Sequence, residues 1–533
     1  MNAMTIRTLI KPSAYHDSVS LMLVARELSK LEGVRDAAVV MATEANKSIL
    51  AEAGLLTDEA KLATPNDLYI AVSAESEVLA ETALQKAESL LKTKVATAGD
   101  SEFRPKTIRG ALASHPDANV AIISVACRYA ADEAWDALQR GLHVLLFSDN
   151  VSLEDEIALK TYARDHGLLL MGPGAGTTIL NGVALGFANV LPPGPVGIIS
   201  AAGTGLQEVS TLIARRGVGI SQGIGTGGRD LKIEVGGIMM LEALKALQQD
   251  PATRVLVLIS KPPAEEVVQA ILRQVSASAK PAVICFLGGE MSSLADLPQV
   301  IPTRTLYVCA LQAVRAVQLK GGKSSGGSPS SADIQELLSA EGAALAEQAW
   351  ALKPKLNADQ CYLRGLFSGG TLCYESQVIW KGMLPAPVYS NAPLPGGLAL
   401  SDSTKSQGHT AVDLGEEEFT VGRPHPMIDN DLRIRRLLQE ARDPEVAVIL
   451  LDVVIGYGAH PDPAAELAPA IRQARQLAGR ELLVVASVTG TEEDPQCLSA
   501  QTAALQAAGA IVCDSNAAAA RLTGLLVAGR TAG

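Results

Sequence analysis

Short apolar runs alternating with helix-length segments constrain this chain more than any other feature. VAIISV, HVLLFS, LLLMG, VGIIS, RVLVLIS and AVICFLGG are each apolar along nearly their whole length. Strands of that kind are covered on both faces, which is the habit of parallel sheets lying between layers of helices. The palette agrees: 48% of residues are hydrophobic, yet only 3% are aromatic, so small side chains can bring helices close onto strands. With 533 residues the chain has material for about three or four domains. The expected fold class is α/β, with several doubly wound parallel-sheet domains.

Two boundaries stand out. GGKSSGGSPSSAD, Gly321 to Asp333, has the composition of a tether, and NVLPPGPV, Asn189 to Val196, carries turn residues ahead of a new strand. They divide the chain into a first domain over 1–190, a second over 194–320, a linker over 321–358 and a last domain over 359–533. The segments flanking the tether repeat one another. GIISAAGTGLQE, DPATRVLVLIS and KPAVICFLGG come before it; GLFSGGTLCYE, DPEVAVILLDVVIGYG and RELLVVASVTG come after it. Gly203, Thr204 and Glu208 in the first set match Gly370, Thr371 and Glu375 in the second, and the shared order of elements points to a duplicated architecture.

Charge and cysteine usage exclude several function classes. A net charge of −12 without a basic stripe argues against nucleic-acid or anionic-membrane partners. No apolar run approaches the roughly 18 residues of a membrane span, and MNAMTIRTLIKPSAY lacks a signal-peptide core. The seven cysteines are scattered without a CxxC pair, so no zinc site or other metal centre is expected, and they read as buried small residues in a reducing cytoplasm.

Four glycine-rich loops fall where an open α/β sheet places its crevice, at the carboxyl ends of strands: GPGAGTT (172–178), SAAGTG (200–205), GIGTGGRD (223–230) and VIGYGAHPDP (454–463). Glycine lets a backbone approach a ligand closely, and a following helix offers free N–H donors to an anion. None fits GxxxxGK[ST], so this is not a Walker-type loop. Either tight turns or an anion site would use such loops; their matched placement favours a phosphate or carboxylate site between the halves. Among the histidines, His425 in GRPHPMID is held between two prolines with Arg423 nearby, which suits a phosphoryl acceptor, a carboxylate ligand or a structural cap. His460 in GYGAHPDP is a second candidate, and His16 beside Lys11 and Asp17 a third.

Residues from about 118 to 290 resemble the α subunit of succinyl-CoA synthetase, through SDNVSLEDEIALKTYARDHGLLLMGPGAG, VGIISAAGTGLQEV and GIGTGGRDL. Residues from about 409 to 527 resemble the carboxy-terminal, flavodoxin-like domain of its β subunit, through HTAVDLG, RIRRLLQEARDP, VAVILLDVVIGYG and VVASVTGT. Together with DSVSLM, SKPPAEE and GRPHPMID, the whole chain resembles the FdrA family of predicted acyl-CoA synthetases. The resemblance implies Rossmann and flavodoxin-like domains and acyl-CoA formation through an acyl phosphate. Two helices would aim their N-termini at one phosphoryl group, here from Gly203, Thr204 and Gly205 and from Gly456, Tyr457 and Gly458. It makes His425 and Glu208 the catalytic candidates, Glu208 orienting the histidine. CoA, as a substrate, would meet Lys11, Ser18, Gly172, Pro173, Gly174 and Ala175, and the acyl substrate Gly225, Gly227, Gly228 and Arg423.

The chain also departs from that pattern. No histidine lies between His166 and His409, and no ATP-grasp domain fits between the halves. KPSAYHDSVSLM stands where the relatives carry a glycine-rich CoA loop, and Ala175 and Ala202 stand where they carry polar or thiol side chains. Three readings stay open: an acyl-CoA synthetase needing a partner chain for nucleotide activation, a subunit of an oxamate carbamoyltransferase moving a carbamoyl group to phosphate, and a non-catalytic scaffold subunit. The expected partners are a small carboxylate or ureido acid, separate nucleotide-binding or FdrA-operon subunits, and a second copy in a homodimer.

Overall fold

The computed structural model describes residues 5–96, 105–289, 297–321, 331–420 and 424–530, except positions 13, 15–20, 22, 23, 26, 29, 30, 44, 45, 48, 49, 52 and 53. The chain divides into two compact units. One comprises residues 1–105 with 416–425, the other residues 106–415 with 426–533.

The first unit is built on three strands, β1 (Thr5–Lys11), β2 (Val34–Met41) and β3 (Leu68–Ala74). Their order is β1-β3-β2, and both pairings are antiparallel. The central strand, LYIAVSA, is buried throughout, and the helix Glu77–Ala96 packs Ala80, Ala83 and Ala87 into the same core as Leu68, Ile70 and Val72. This corrects the expected single Rossmann domain over 1–190. Strand and helix alternate here too, but the crossovers return the strands antiparallel, and pairing direction leaves no mark in an apolar run. Only residues 120–171 carry a parallel sheet ahead of the repeated halves: β4 (Val120–Ile123), β5 (His143–Leu146) and β6 (Leu170–Met171), in that order.

The repeated halves both lie in the second unit. In the first half, β9 (Pro193–Ser200), β10 (Ile220–Gly225), β11 (Val255–Ser260), β12 (Ala282–Phe286) and β13 (Val300–Pro302) form a parallel sheet ordered β13-β12-β11-β9-β10. A hairpin, β7 (Thr177–Leu180) and β8 (Val183–Gly186), joins the β10 edge antiparallel. The second half uses β14 (Tyr362–Phe367), β15 (Val388–Ser390), β16 (Leu398–Ala399), β17 (His409–Asp413), β18 (Val446–Val454), β19 (Leu483–Thr489) and β20 (Ile511–Cys513), all parallel, ordered β16-β15-β17-β14-β18-β19-β20. Counted from β9, the first half has the flavodoxin-type order 2-1-3-4-5, and the second has the same order, β17-β14-β18-β19-β20, once the short edge strands β15 and β16 are set aside. The duplication read from the sequence is therefore architectural.

One continuous hydrophobic cluster joins the halves: Ile198, Leu206 and Val257 from the first, Phe367, Trp380 and Leu450 from the second. The expected linker over 321–358 is not merely a tether, because Ser331–Leu352 forms a helix of 22 residues. SADIQELLSAEGAALAEQAWAL is rich in the strongest helix formers, and it anchors Ile334, Leu345 and Ala349 in the shared core.

Candidate functional site

The expected tip helix is Gly203–Ala214, launched from the carboxyl end of β9, and residues Gly205 to Ile213 are all buried. A helix buried on every side must be placed by its neighbours on both flanks. Its N-cap, Ala202, offers no side-chain acceptor, and the N–H groups of Gly203, Thr204 and Gly205 have no hydrogen-bond acceptor among the described residues. A helix that leaves its first N–H groups uncapped presents partial positive charge to whatever lies beyond it.

What lies beyond it is the other half's matched helix, Gly370–Lys381. Thr371 donates its backbone N–H to Thr204 Oγ1 at 3.3 Å, and a methyl added at Gly205 would come within 2.9 Å of Thr371 Cγ2. The partner tip is thus Gly370–Thr371. Gly456–Gly458, expected in that role, is occupied otherwise. Gly456 donates its N–H to Gln496 Oε1 at 3.0 Å, Tyr457 donates to Ala188 O at 2.7 Å, and the following helix starts at Pro463, capped by Asp462. The repeat itself carried the missed signal, since Gly370, Thr371 and Glu375 copy the spacing of Gly203, Thr204 and Glu208.

Two carboxylates fix the angle between the halves. Glu208 accepts from Asn516 N at 3.0 Å and from the Thr489 hydroxyl, so both its oxygens are engaged and neither partner is a histidine. Glu375 accepts from Leu306 N at 2.7 Å and from Asn516 Nδ2 at 2.8 Å. Leu306 and Asn516 begin the last helices of the first and second halves, so each half's glutamate caps the other half's final helix. Burial pushes the Glu375 carboxyl up to about 7, against the two donors that favour its charged form.

Three expected loops meet on the near side of the Gly203 tip. Thr226 N bonds Ser200 O at 2.9 Å, and a methyl on Gly203 would sit 3.6 Å from Thr177 Oγ1. Methyls on Gly227 and Gly225 would collide with Pro173 O at 2.6 Å and with Thr177 O at 2.4 Å. Gly172 and Pro173 therefore lie against Gly227, Gly174 lies against Asp149, Ala175 is buried, and Gly228 is exposed. A buried ion network holds the second loop in place. Lys160 Nζ reaches Glu156 at 2.8 Å, Asp230 at 2.8 Å and Thr226 O at 3.0 Å, while Arg229 pairs with Glu156 at 2.8 Å. Asp230 in turn accepts from Met239 N and Met240 N, at the start of the next helix.

The remaining candidates fall on other segments of the chain. Lys11 belongs to the first unit and pairs with Glu88 at 2.5 Å. Ser18, His16 and Arg423 lie outside the described residues. His425 is half-buried at the edge of the first unit's segment, while Glu208 belongs to the second unit. His460 is buried; its Nδ1 accepts from Asp462 N at 3.0 Å and its Nε2 lies 3.2 Å from Glu466, which fixes the ring as part of the loop's scaffold.

Comparisons with known proteins agree with this anatomy. Residues 366–526 match the CoA-ligase family model, and residues 193–288 match the CoA binding domain model. "Uncharacterized protein YahF" of Escherichia coli (strain K12) is 43% identical over 518 residues, covering 96% of this chain and 97% of the relative. The chain belongs to the YahF family. Within this YahF family member, 173 residues are 29% identical to the succinate–CoA ligase [ADP-forming] subunit alpha 2 of Archaeoglobus fulgidus, which covers 31% of the chain and 58% of that subunit. A solved ATP citrate lyase from Methanothrix soehngenii overlaps 42% of the chain and 43% of its own, at 19% identity and a TM-score of 0.35. By the two family models and the likeness to that subunit, the chain is succinyl-CoA synthetase-like in its CoA-ligase and CoA-binding domains.

Residues 4–105 match a third model, AllF, heavy metal-associated domain. A heavy-metal site needs soft donors, above all thiolates. This stretch contains no cysteine, and the described residues hold no cluster of three or more His, Cys, Asp or Glu side chains. Among the described residues no donor set that would fit a resident metal is present. No described helix is long and apolar enough to cross a membrane.

Proposed function

We propose that the chain is the acyl-transfer core of an acyl-CoA synthetase, forming acyl-CoA from a carboxylate by way of an acyl phosphate. The observation that carries this reading is the uncapped tip of the Gly203 helix beside the paired 172–175 and 225–228 loops. In this scheme the N–H groups of Gly203, Thr204 and Gly205 hold the phosphate of the acyl phosphate. The CoA thiolate attacks the acyl carbon, the C–O bond to phosphate breaks, and the leaving phosphate stays on the helix tip. The loop glycines give CoA and the acyl group a close approach to the backbone. A partner chain supplies nucleotide and phosphorylates the carrier, for which His425 is the candidate, with Arg423 beside it in sequence.

The test is ligand-dependent melting of the full chain. CoA and inorganic phosphate should each raise the melting temperature, by the equivalent of about 2.7 kcal/mol at a hundredfold excess over the dissociation constant. Ala202→Asp, which puts a carboxylate on the tip, should abolish the phosphate effect alone. Phosphoryl label arriving on His425 from any donor, and lost in His425→Ala, would support the carrier role. A specific observation favours a second reading, the scaffold: both Glu208 oxygens are engaged by groups of the protein itself. Melting unmoved by CoA and phosphate alike would select it.

A further inference from the structure

The Gly370 helix ends far from its tip in a cleft that the acyl-transfer scheme does not use. Lys381 stands in its last turn, about 16 Å along the axis from Gly370. Two cavities, about 300 and 280 Å³, open on either side of Lys381 and share Lys381 and Leu394 as their common wall. The first is walled by Leu384, Pro385, Pro387, Val388 and Leu398, an apolar lobe whose prolines stiffen its rim. The second brings Arg304 and Phe286 of the first half against Tyr374 and Val378 of the second.

Charge is what singles this cleft out. The chain carries a net charge of −12, yet among the described residues no aspartate or glutamate lines either lobe. Arg304 and Lys381 are both exposed, and neither has a carboxylate partner among the described residues. Lys261 adds a third positive group, its Nζ lying 5.4 Å from the centre of the Tyr374 ring. A guanidinium fork and an ammonium facing one cavity suit a carboxylate, the fork through paired N–H donors and the ammonium as a point charge. Together the lobes fall within the size range of pockets for small organic ligands.

We propose that this cleft binds an organic carboxylate with an apolar body, its head between Arg304 and Lys381 and its body on the proline-walled lobe. The cleft spans both halves, so such a ligand stabilises their mutual arrangement from the far end of the Gly370 helix.

The test titrates 4-phenylbutyrate into the full chain by calorimetry, with 4-phenylbutanamide and inorganic phosphate as controls. Saturable binding of one 4-phenylbutyrate per chain is expected, with the amide at least about tenfold weaker. Arg304→Gln combined with Lys381→Gln should weaken 4-phenylbutyrate by about tenfold or more, with an unchanged melting temperature because both side chains are exposed. Leu394→Asn should weaken it through the body. Ala202→Asp should leave it untouched, which separates this site from the phosphate-binding tip. Equal binding to the charge-neutralised variant, no saturable binding at millimolar 4-phenylbutyrate, or displacement by phosphate would each overturn the proposal.

Discussion

The tips of the Gly203 and Gly370 helices hold matched places in the two halves and differ in the carboxylate that stands ahead of one of them. Both helices run for 12 residues, open with Gly-Thr and carry a glutamate five positions later. At the Gly203 tip the first N–H groups are free. At the Gly370 tip a carboxylate stands just ahead of the helix: Asp452 accepts from Ser368 N and Gly369 N at 2.7 Å each and from Ser368 Oγ at 3.0 Å, while Gly370 N and Leu372 N, like their counterparts Gly203 N and Gly205 N, have no acceptor among the described residues. Asp452 is itself fully buried and paired with the buried Arg433 at 3.3 Å. Strand register identifies its counterpart. Leu258 pairs with Ile199, four residues before Gly203, as Leu451 pairs with Leu366, four residues before Gly370, so the next residue, Ile259, matches Asp452. The matched halves thus differ one strand away, where an isoleucine in the first stands in the place of an aspartate in the second, and a buried carboxylate lies ahead of the Gly370 tip.

Removing the Asp452 carboxylate should have the largest effect. Asp452→Leu leaves Arg433 buried without its carboxylate and strips the acceptor from two backbone donors, a loss of about 3–5 kcal/mol in denaturant unfolding. A loss under about 1 kcal/mol would mean that the carboxylate contributes little. The glutamates below the tips come next. The folded pKa of Glu375, about 7, lies above its ordinary value of 4.5. Its contribution is then fully present below pH 4.5 and is lost as pH rises through 7, by up to about 3 kcal/mol. Glu375→Gln should flatten that part of the pH–stability profile.

Capping the Gly203 tip is a smaller change with a sharper readout. Ala202→Asp supplies the missing N-cap and should raise stability by about 0.5–2 kcal/mol in ligand-free buffer while removing the response to phosphate. Smallest of all is the contact between the tips. Thr204→Val removes the acceptor for Thr371 N and should cost about 0.5–1.5 kcal/mol. Compared with Thr204→Ser, which keeps the hydroxyl acceptor and drops the methyl, it would report whether the two helices sense each other through that bond or only through packing.

Much of this comparison was legible before any coordinates. The apolar runs became β4, β5, β6, β9, β11 and β12, and the Asp250-Pro251 and Asp443-Pro444 pairs do close helices ahead of strands. The Gly-Thr and glutamate spacing marked both tip helices. Which tip faced which was not legible, because a contact between helices some 160 residues apart depends on how two sheets pack, and a glycine turn such as Gly456–Gly458 looks the same whether its N–H groups are free or used. Asp452 did leave a trace: it is the lone charge in VAVILLDVV, a strand buried at every position, and a charge kept in such a place must have donors waiting for it. The sheet of residues 5–74 gave no comparable trace, since its strands look alike whether paired parallel or antiparallel.

The crossed capping of Leu306 by Glu375 and of Asn516 by Glu208 has a consequence for how this molecule can be made and divided. Each half ends in a segment whose first amide is completed only by its sibling. A chain cut between Gly321 and Ser331 should therefore give two pieces that are poor proteins separately and one good protein when mixed. An ancestor that joined two genes at that point would have gained a guarantee that the two products are always made in equal numbers.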